Sequence, residues 1–255
     1  MPFICGPKIS RMPNISLVVL DMAGTTLRDQ REVETCFAKA CAQTGLQVSP
    51  DRILALQGYA KVEVFRLLWT ERMGDHHPDL EDTIAFSYLT FRSILEEHYR
   101  QAPVIPTEGC VETLRFLKES GIPAVLTTGF YRDVVDIIWN KMAAWVPEGS
   151  IQAIVASDEV AQGRPAPDLI FRAMAMLGVD DPKEVVHIGD TPADLKAGYR
   201  AGCGYNLAVI NGTHTEEQLS PYPHDHLLAH LGEFIEFIHP VLHTQTSAWH
   251  ESSNL

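Results

Sequence analysis

Leu17-Val18-Val19-Leu20-Asp21-Met22-Ala23-Gly24-Thr25-Thr26 is the stretch on which the fold turns. Its short apolar run reads as a buried strand, and the aspartate, glycine and threonines that follow read as a tight turn where the strand ends. Similar runs recur at Pro123-Ala124-Val125-Leu126, Ala153-Ile154-Val155, Val185-Val186-His187-Ile188 and Leu207-Ala208-Val209-Ile210. Helical stretches separate the later ones: Val111 to Glu119, Val134 to Met142, Leu169 to Leu177 and Ala193 to Ala201. Strands alternating with helices of that length predict an α/β fold, a parallel sheet wrapped by helices on both faces.

Between Leu27 and Pro106 the pattern changes. Val33 to Gln43, Arg52 to Leu56, Val62 to Arg72 and Thr83 to Tyr99 read as helices, with no strand among them. Gly74 to Pro78 reads as a loop and Pro103 to Pro106 as the return to the sheet. The expected organisation is a core of residues 1–27 and 105–255 interrupted by a smaller helical domain, residues 28–104.

With 255 residues the chain can bury a full core. A net charge of -13 argues against a nucleic-acid backbone as partner, since that affinity rests on clustered Lys and Arg. A small anionic substrate remains open, because a local site can be positive on an acidic protein. The five cysteines (Cys5, Cys36, Cys41, Cys110, Cys203) form no CxxC pair, which fits reduced thiols. No apolar run reaches membrane-spanning length, and Met1 to Asn14 lacks an uninterrupted signal-peptide core. Cytoplasm is therefore the expected location. The histidines of the tail from Thr213 lack a compact ligand spacing and are expected at the surface.

Ligands of open parallel sheets bind beyond the carboxyl ends of the strands, so the polar residues that follow the apolar runs should converge. Strand one delivers Asp21, strand two Thr127-Thr128-Gly129, and a later strand Gly189-Asp190, with Asp194 on the next turn. Arg164, in Gly163-Arg164-Pro165, brings a cation from the loop beyond Ala153-Ile154-Val155. Asp21 and Asp190 are oxygen ligands suited to Mg²⁺. Arg164 and the metal can neutralise a transferring phosphoryl group, whose oxygens Thr127, Thr128 and nearby backbone N–H groups can cradle. Asp21 can then carry that group as an aspartyl-phosphate. Each residue alone also suits a helix cap or a turn. Four elements in order, each after a predicted strand, favour a site.

In order and spacing these elements resemble the four motifs of the haloacid dehalogenase superfamily, over nearly the whole chain. Asp21 to Thr26 is similar to its nucleophile loop and Thr127-Thr128-Gly129 to its phosphate-binding motif. Gly163-Arg164-Pro165-Ala166-Pro167-Asp168 is similar to the basic motif, and Gly189-Asp190-Thr191-Pro192-Ala193-Asp194 to the acidic metal motif. The resemblance implies a Rossmann-like doubly wound parallel sheet with a helical C1-type cap closing over the site. It also implies Mg²⁺ held by Asp21, the backbone carbonyl of Ala23 and Asp190, with Asp194 in support, and a homodimer, as related enzymes often are.

Phosphatases of this superfamily carry a second aspartate two residues after the nucleophile, as acid for the leaving alkoxide. Here that position is Ala23, and such acid–base help is typically worth about 10²–10⁴-fold. The phosphonoacetaldehyde hydrolase (phosphonatase) branch has alanine there. Its enzymes cleave a carbon–phosphorus bond after a cap lysine forms an imine with the substrate aldehyde. Gly58-Tyr59-Ala60-Lys61 resembles the element carrying that lysine. Gln57, Val64 and Phe130 stand where that branch usually has methionine, histidine and tyrosine, and the stretch Ser157-Asp158-Glu159-Val160 through Asp168 more closely resembles its phosphonatase-like sister group. For Lys61 to attack a carbonyl it must be neutral part of the time, which burial at the cap–core junction would bring about. Two alternatives stay open: a phosphomonoester phosphatase or phosphosugar mutase that tolerates Ala23, and a catalytically silent phosphate-binding module.

Overall fold

The computed structural model describes residues 14–241. The readings of Met1 to Pro13, of Cys5 and of the last tail histidines, His243 and His250, lie outside the described residues; of the histidines expected at the surface, His214 is instead buried.

Six strands form one sheet in the order β3-β2-β1-β4-β5-β6. They are β1 (Leu17–Asp21), β2 (Ala124–Thr127), β3 (Ala153–Val155), β4 (Val185–Gly189), β5 (Tyr205–Val209) and β6 (His226–Leu228). Every pairing is parallel. β1 lies between β2 and β4, with Asp21 in register with Thr127 and Leu20 with Ile188. The winding reverses there, which opens a crevice at the carboxyl ends of the central strands.

Residue parity explains the two-sided burial. Val18, Leu20, Leu126, Val186 and Ile188 face a core that includes Leu114 and Leu117 of α5 (Cys110–Glu119) and Val134 and Ile138 of α6 (Arg132–Met142). Leu17, Val19, Val125 and Val185 face the opposite layer. That layer comprises Leu169, Ile170 and Ala173 of α7 (Asp168–Leu177) with Ala197 and Ala201 of α8 (Pro192–Ala201). A strand buried on both faces must be apolar throughout, which is why β1 reads as an unbroken hydrophobic run. Truncating a side chain such as Leu20 to alanine would cost about 2–5 kcal/mol.

Four helices intervene between β1 and α5: α1 (Glu32–Thr44), α2 (Pro50–Ala55), α3 (Lys61–Met73) and α4 (Leu80–Gln101). Their centre is aromatic: Phe37 lies 4.7 Å from Phe65 and 5.9 Å from Phe91, centroid to centroid. Trp69 Nε1 donates to Ser87 Oγ at 2.8 Å, so this buried indole is satisfied. The chain leaves and re-enters the sheet side by side. Arg28 N donates to Ile105 O at 2.8 Å, and Thr107 Oγ1 to Thr25 O at 2.5 Å. Among the described residues no helix is long and apolar enough to cross a membrane. Cys36, Cys41, Cys110 and Cys203 are free and buried.

Candidate active site

Asp21 is the last residue of β1, and Gly24 shapes the turn beyond it at φ +93°. A Cβ there would collide with the Asp190 carboxylate, so both the backbone and the packing require glycine. Asp190 follows β4, and its Oδ2 accepts from Thr213 N (2.7 Å) and Thr213 Oγ1 (2.6 Å). Asp194 is fixed by the capping box that opens α8. Thr191 Oγ1 accepts from Asp194 N (3.2 Å), and Asp194 Oδ2 accepts from Thr191 N (3.1 Å) and Thr191 Oγ1 (2.5 Å).

Arg164 reaches this cluster from the loop between β3 and α7. Its buried guanidinium donates through Nη2 to Asp21 Oδ1 (2.5 Å) and through Nη1 to Asp194 Oδ1, while Nε has no partner among the described residues. Asp21, Asp190 and Asp194 each offer a carboxylate oxygen within 4.8 Å of the other two, and all three are buried. One guanidinium therefore faces three carboxylates. Burial pushes the Asp21 carboxyl up, with Arg164 opposing. Asp190 rises to about 7, through burial first and the Asp21 charge second, against the hydrogen bonds from Thr213. A buried, all-oxygen donor set with surplus negative charge fits a hard divalent cation such as Mg²⁺.

The phosphate-binding candidates divide. Thr128 and Gly129 line a cavity together with Asp21, Ala23, Lys61 and Thr213. Thr128 Oγ1 accepts from Phe130 N at 3.1 Å. Thr127 is not among the lining residues; its hydroxyl is buried and has no partner among the described residues.

The far wall of the cavity belongs to the helical insertion. Gln57, Gly58, Tyr59 and Lys61 all line it. Gly58, at φ +78°, lies against Thr191, and the carbonyls of Gly58 and Tyr59 come close to Gly129. Lys61, the first residue of α3, is partly buried, with Nζ donating to Tyr59 O (3.3 Å) and Leu56 O (3.4 Å) and 6.0 Å from the Phe37 centroid. Burial lowers its pKa to about 8, the Arg164 charge adds to the drop, and Asp29 pulls the other way. Val64 is buried within the insertion. Phe130 lines the cavity and packs on Tyr99, 5.7 Å between centroids. Tyr131 instead donates its hydroxyl to Glu96 Oε1 at 3.0 Å.

The structure thus gathers Asp21, Arg164, Asp190 and Asp194 in one cluster and brings Lys61 to the cavity that Asp21 lines. Thr213 and Asp29 were missed. Thr213 follows β5 in the turn Asn211-Gly212-Thr213, where the strand-end rule points. Asp29 sits in a segment that carries no periodic signal.

The family model for haloacid dehalogenase-like hydrolases matches residues 15–202. Among curated proteins, the phosphonoacetaldehyde hydrolase of Parabacteroides distasonis is 27% identical over 83% of this chain and 84% of its own length. A bifunctional phosphonoacetaldehyde hydrolase/aminoethylphosphonate transaminase of Clostridioides difficile is 28% identical over 78% of this chain. That match spans only 32% of the longer protein. Among solved structures, a phosphonoacetaldehyde hydrolase-like protein from Oleispira antarctica superposes with a TM-score of 0.74 at 19% identity. The match covers 94% of this chain and 96% of that one, and it speaks for the fold.

Proposed function

The chain belongs to the haloacid dehalogenase-like hydrolase family, and within it we propose that the enzyme hydrolyses the carbon–phosphorus bond of a small phosphonate aldehyde, phosphonoacetaldehyde or a close relative. One observation carries the reading: Ala23, Lys61 and Asp21 line a single cavity. The site lacks the acid that a phosphomonoesterase of this family uses, and a lysine of lowered basicity stands across from the nucleophile.

Lys61 Nζ, neutral for part of the time near pH 8, attacks the aldehyde carbon and forms an imine with loss of water. Asp21 then attacks phosphorus. The electron pair of the carbon–phosphorus bond moves into the imine and leaves an enamine on Lys61. Protonation of that carbon and hydrolysis return the amine, and water cleaves the aspartyl-phosphate. Arg164, hydrogen-bonded to Asp21, holds the nucleophile's orientation and offers positive charge to the transferring group. Thr128 and Gly129 are assigned to its oxygens, and Thr127 is assigned with them through its unpartnered hydroxyl. Mg²⁺ on Asp21, Asp190 and the Ala23 carbonyl, with Asp194 in support, would supply further charge neutralisation at phosphorus.

The helices of the insertion, residues 28–104, act in this reading as a cap that excludes water from the imine. Free buried thiols suit a reducing compartment, and the reaction is assigned to the cytoplasm. A homodimer belongs to the same proposal, and light scattering on the purified protein tests it.

Borohydride added during turnover of phosphonoacetaldehyde should fix the two-carbon fragment on Lys61, read by peptide mass. Absence of trapping, with phosphate release surviving in Lys61→Ala, would overturn the mechanism.

A further inference from the structure

We propose that Asp29 is the proton carrier of the imine chemistry at Lys61, taking over within this cavity the acid–base work that position 23 no longer supplies. The inference rests on the reading of Lys61 as the imine-forming amine.

Asp29 lies on the segment entering the insertion and lines the same cavity as Asp21, Ala23, Lys61 and Thr128. Its carboxyl is anchored, because Oδ1 accepts from the backbone N–H of Glu32 at 2.8 Å at the start of α1. The charged and titratable groups around it come from every neighbouring element. Glu32 and Cys36 belong to α1, Lys61 to α3 and Tyr99 to α4, and Asp190 follows β4. Among these, Lys61 is the cation.

Burial, the side-chain hydrogen bond with Glu32 and the Glu32 charge push the Asp29 carboxyl up to about 8. It therefore carries a proton at neutral pH, as an acid needs to, at a pKa close to that of the amine that shares its cavity. The step balances. Nζ attacks the carbonyl carbon to give a carbinolamine, and the Asp29 carboxyl protonates its hydroxyl. The hydroxyl leaves as water, with the C–O bond electrons, and the nitrogen lone pair forms the C=N bond. An iminium then faces the Asp29 carboxylate, and hydrolysis at the end of the cycle returns the proton.

Asp29 also holds the first N–H of α1, and Asp29→Asn separates the two roles because the amide oxygen can still accept from Glu32 N. Borohydride trapping on Lys61 and phosphate release from phosphonoacetaldehyde are measured from pH 6 to 10 for wild type, Asp29→Asn and Asp29→Glu. Thermal melts serve as the control for folding. Wild type should give a bell, rising as Lys61 loses its proton and falling as the carboxyl loses its own; the two apparent values belong to the pair. Asp29→Asn should trap about 10²-fold more slowly, lose the alkaline limb and melt close to wild type, and Asp29→Glu should recover part of the rate. Wild-type rates and an unchanged bell in Asp29→Asn overturn the proposal while leaving the imine intact. A wild type that releases phosphate without being trapped removes the imine reading and this proposal together.

Discussion

A Cβ placed on Gly58 would stand 2.5 Å from the Thr191 hydroxyl oxygen, in a backbone conformation that L side chains rarely adopt. This is where the loop that leads into Lys61 and α3 rests on the loop carrying the acidic motif. The same Thr191 oxygen opens α8 and holds Asp194. Gly58→Ala should therefore do more than strain one residue. We expect a loss of about 1 kcal/mol or more in stability, from the positive φ alone. A 10- to 100-fold fall in kcat/KM should accompany it, on the scale of a misplaced catalytic group. Chemical denaturation and steady-state kinetics check the two parts separately.

Lys61 should destabilise the protein that it serves. Its folded pKa, about 8, lies below the ordinary 10.5, so the folded state resists the charged form. The penalty is complete below pH 8 and fades as pH rises towards 10.5, because only the unfolded chain then holds the proton. The full shift corresponds to at most about 3 kcal/mol, and the two carbonyl hydrogen bonds return part of it. Lys61→Met should be about 1 kcal/mol more stable than wild type at pH 7, with the gain gone by pH 10.5, and it should lack phosphonate turnover. Denaturation curves at the two pH values decide this.

Magnesium should stabilise the fold through the three buried carboxylates. At 100 times its Kd, a ligand confined to the native state adds about 2.7 kcal/mol. Asp190→Asn should remove that increment. Without metal it should melt above wild type, since the Asp21 charge no longer has a like neighbour. Calorimetry with and without magnesium measures both effects.

Ala23 faces the cavity, so an acid placed there has room to act. Ala23→Asp should raise hydrolysis of generic phosphomonoesters, by up to about 10²-fold, and add little to phosphonoacetaldehyde turnover. A matched gain on both substrates would favour an ordinary phosphatase, and a phosphate-release panel discriminates the two.

The core strands were legible because burial on both faces leaves an apolar signature that polar competition cannot mimic. β1 through β5 carry apolar runs, though only Val155 of the edge strand β3 is fully buried. The residues just beyond β1, β2 and β4 were found by rule, whereas Thr213 beyond β5 was not. β6 escaped because His226–Leu228 opens with an exposed histidine and leaves only two apolar residues, whereas the equally short edge strand β3 is apolar throughout. Lys61 was legible through a resemblance; no pattern of hydrophobicity points to it. Asp29 reaches the cavity of Lys61 from far along the chain, and spacing carries no trace of that encounter; Thr213 stands where the strand-end rule points, but its pairing with Asp190 is not written in spacing.

The amine and the acceptor carboxylate hang from different parts of the molecule, Lys61 from the insertion and Asp21 from the sheet. In the proposed reaction, scission of the carbon–phosphorus bond leaves each fragment covalently tethered to an opposite wall. Neither half can diffuse away before its own hydrolysis, and parting of the walls would carry the fragments out of each other's reach. The architecture itself would then act as a pawl against recombination, making the cleavage one-way without any added chemical cost.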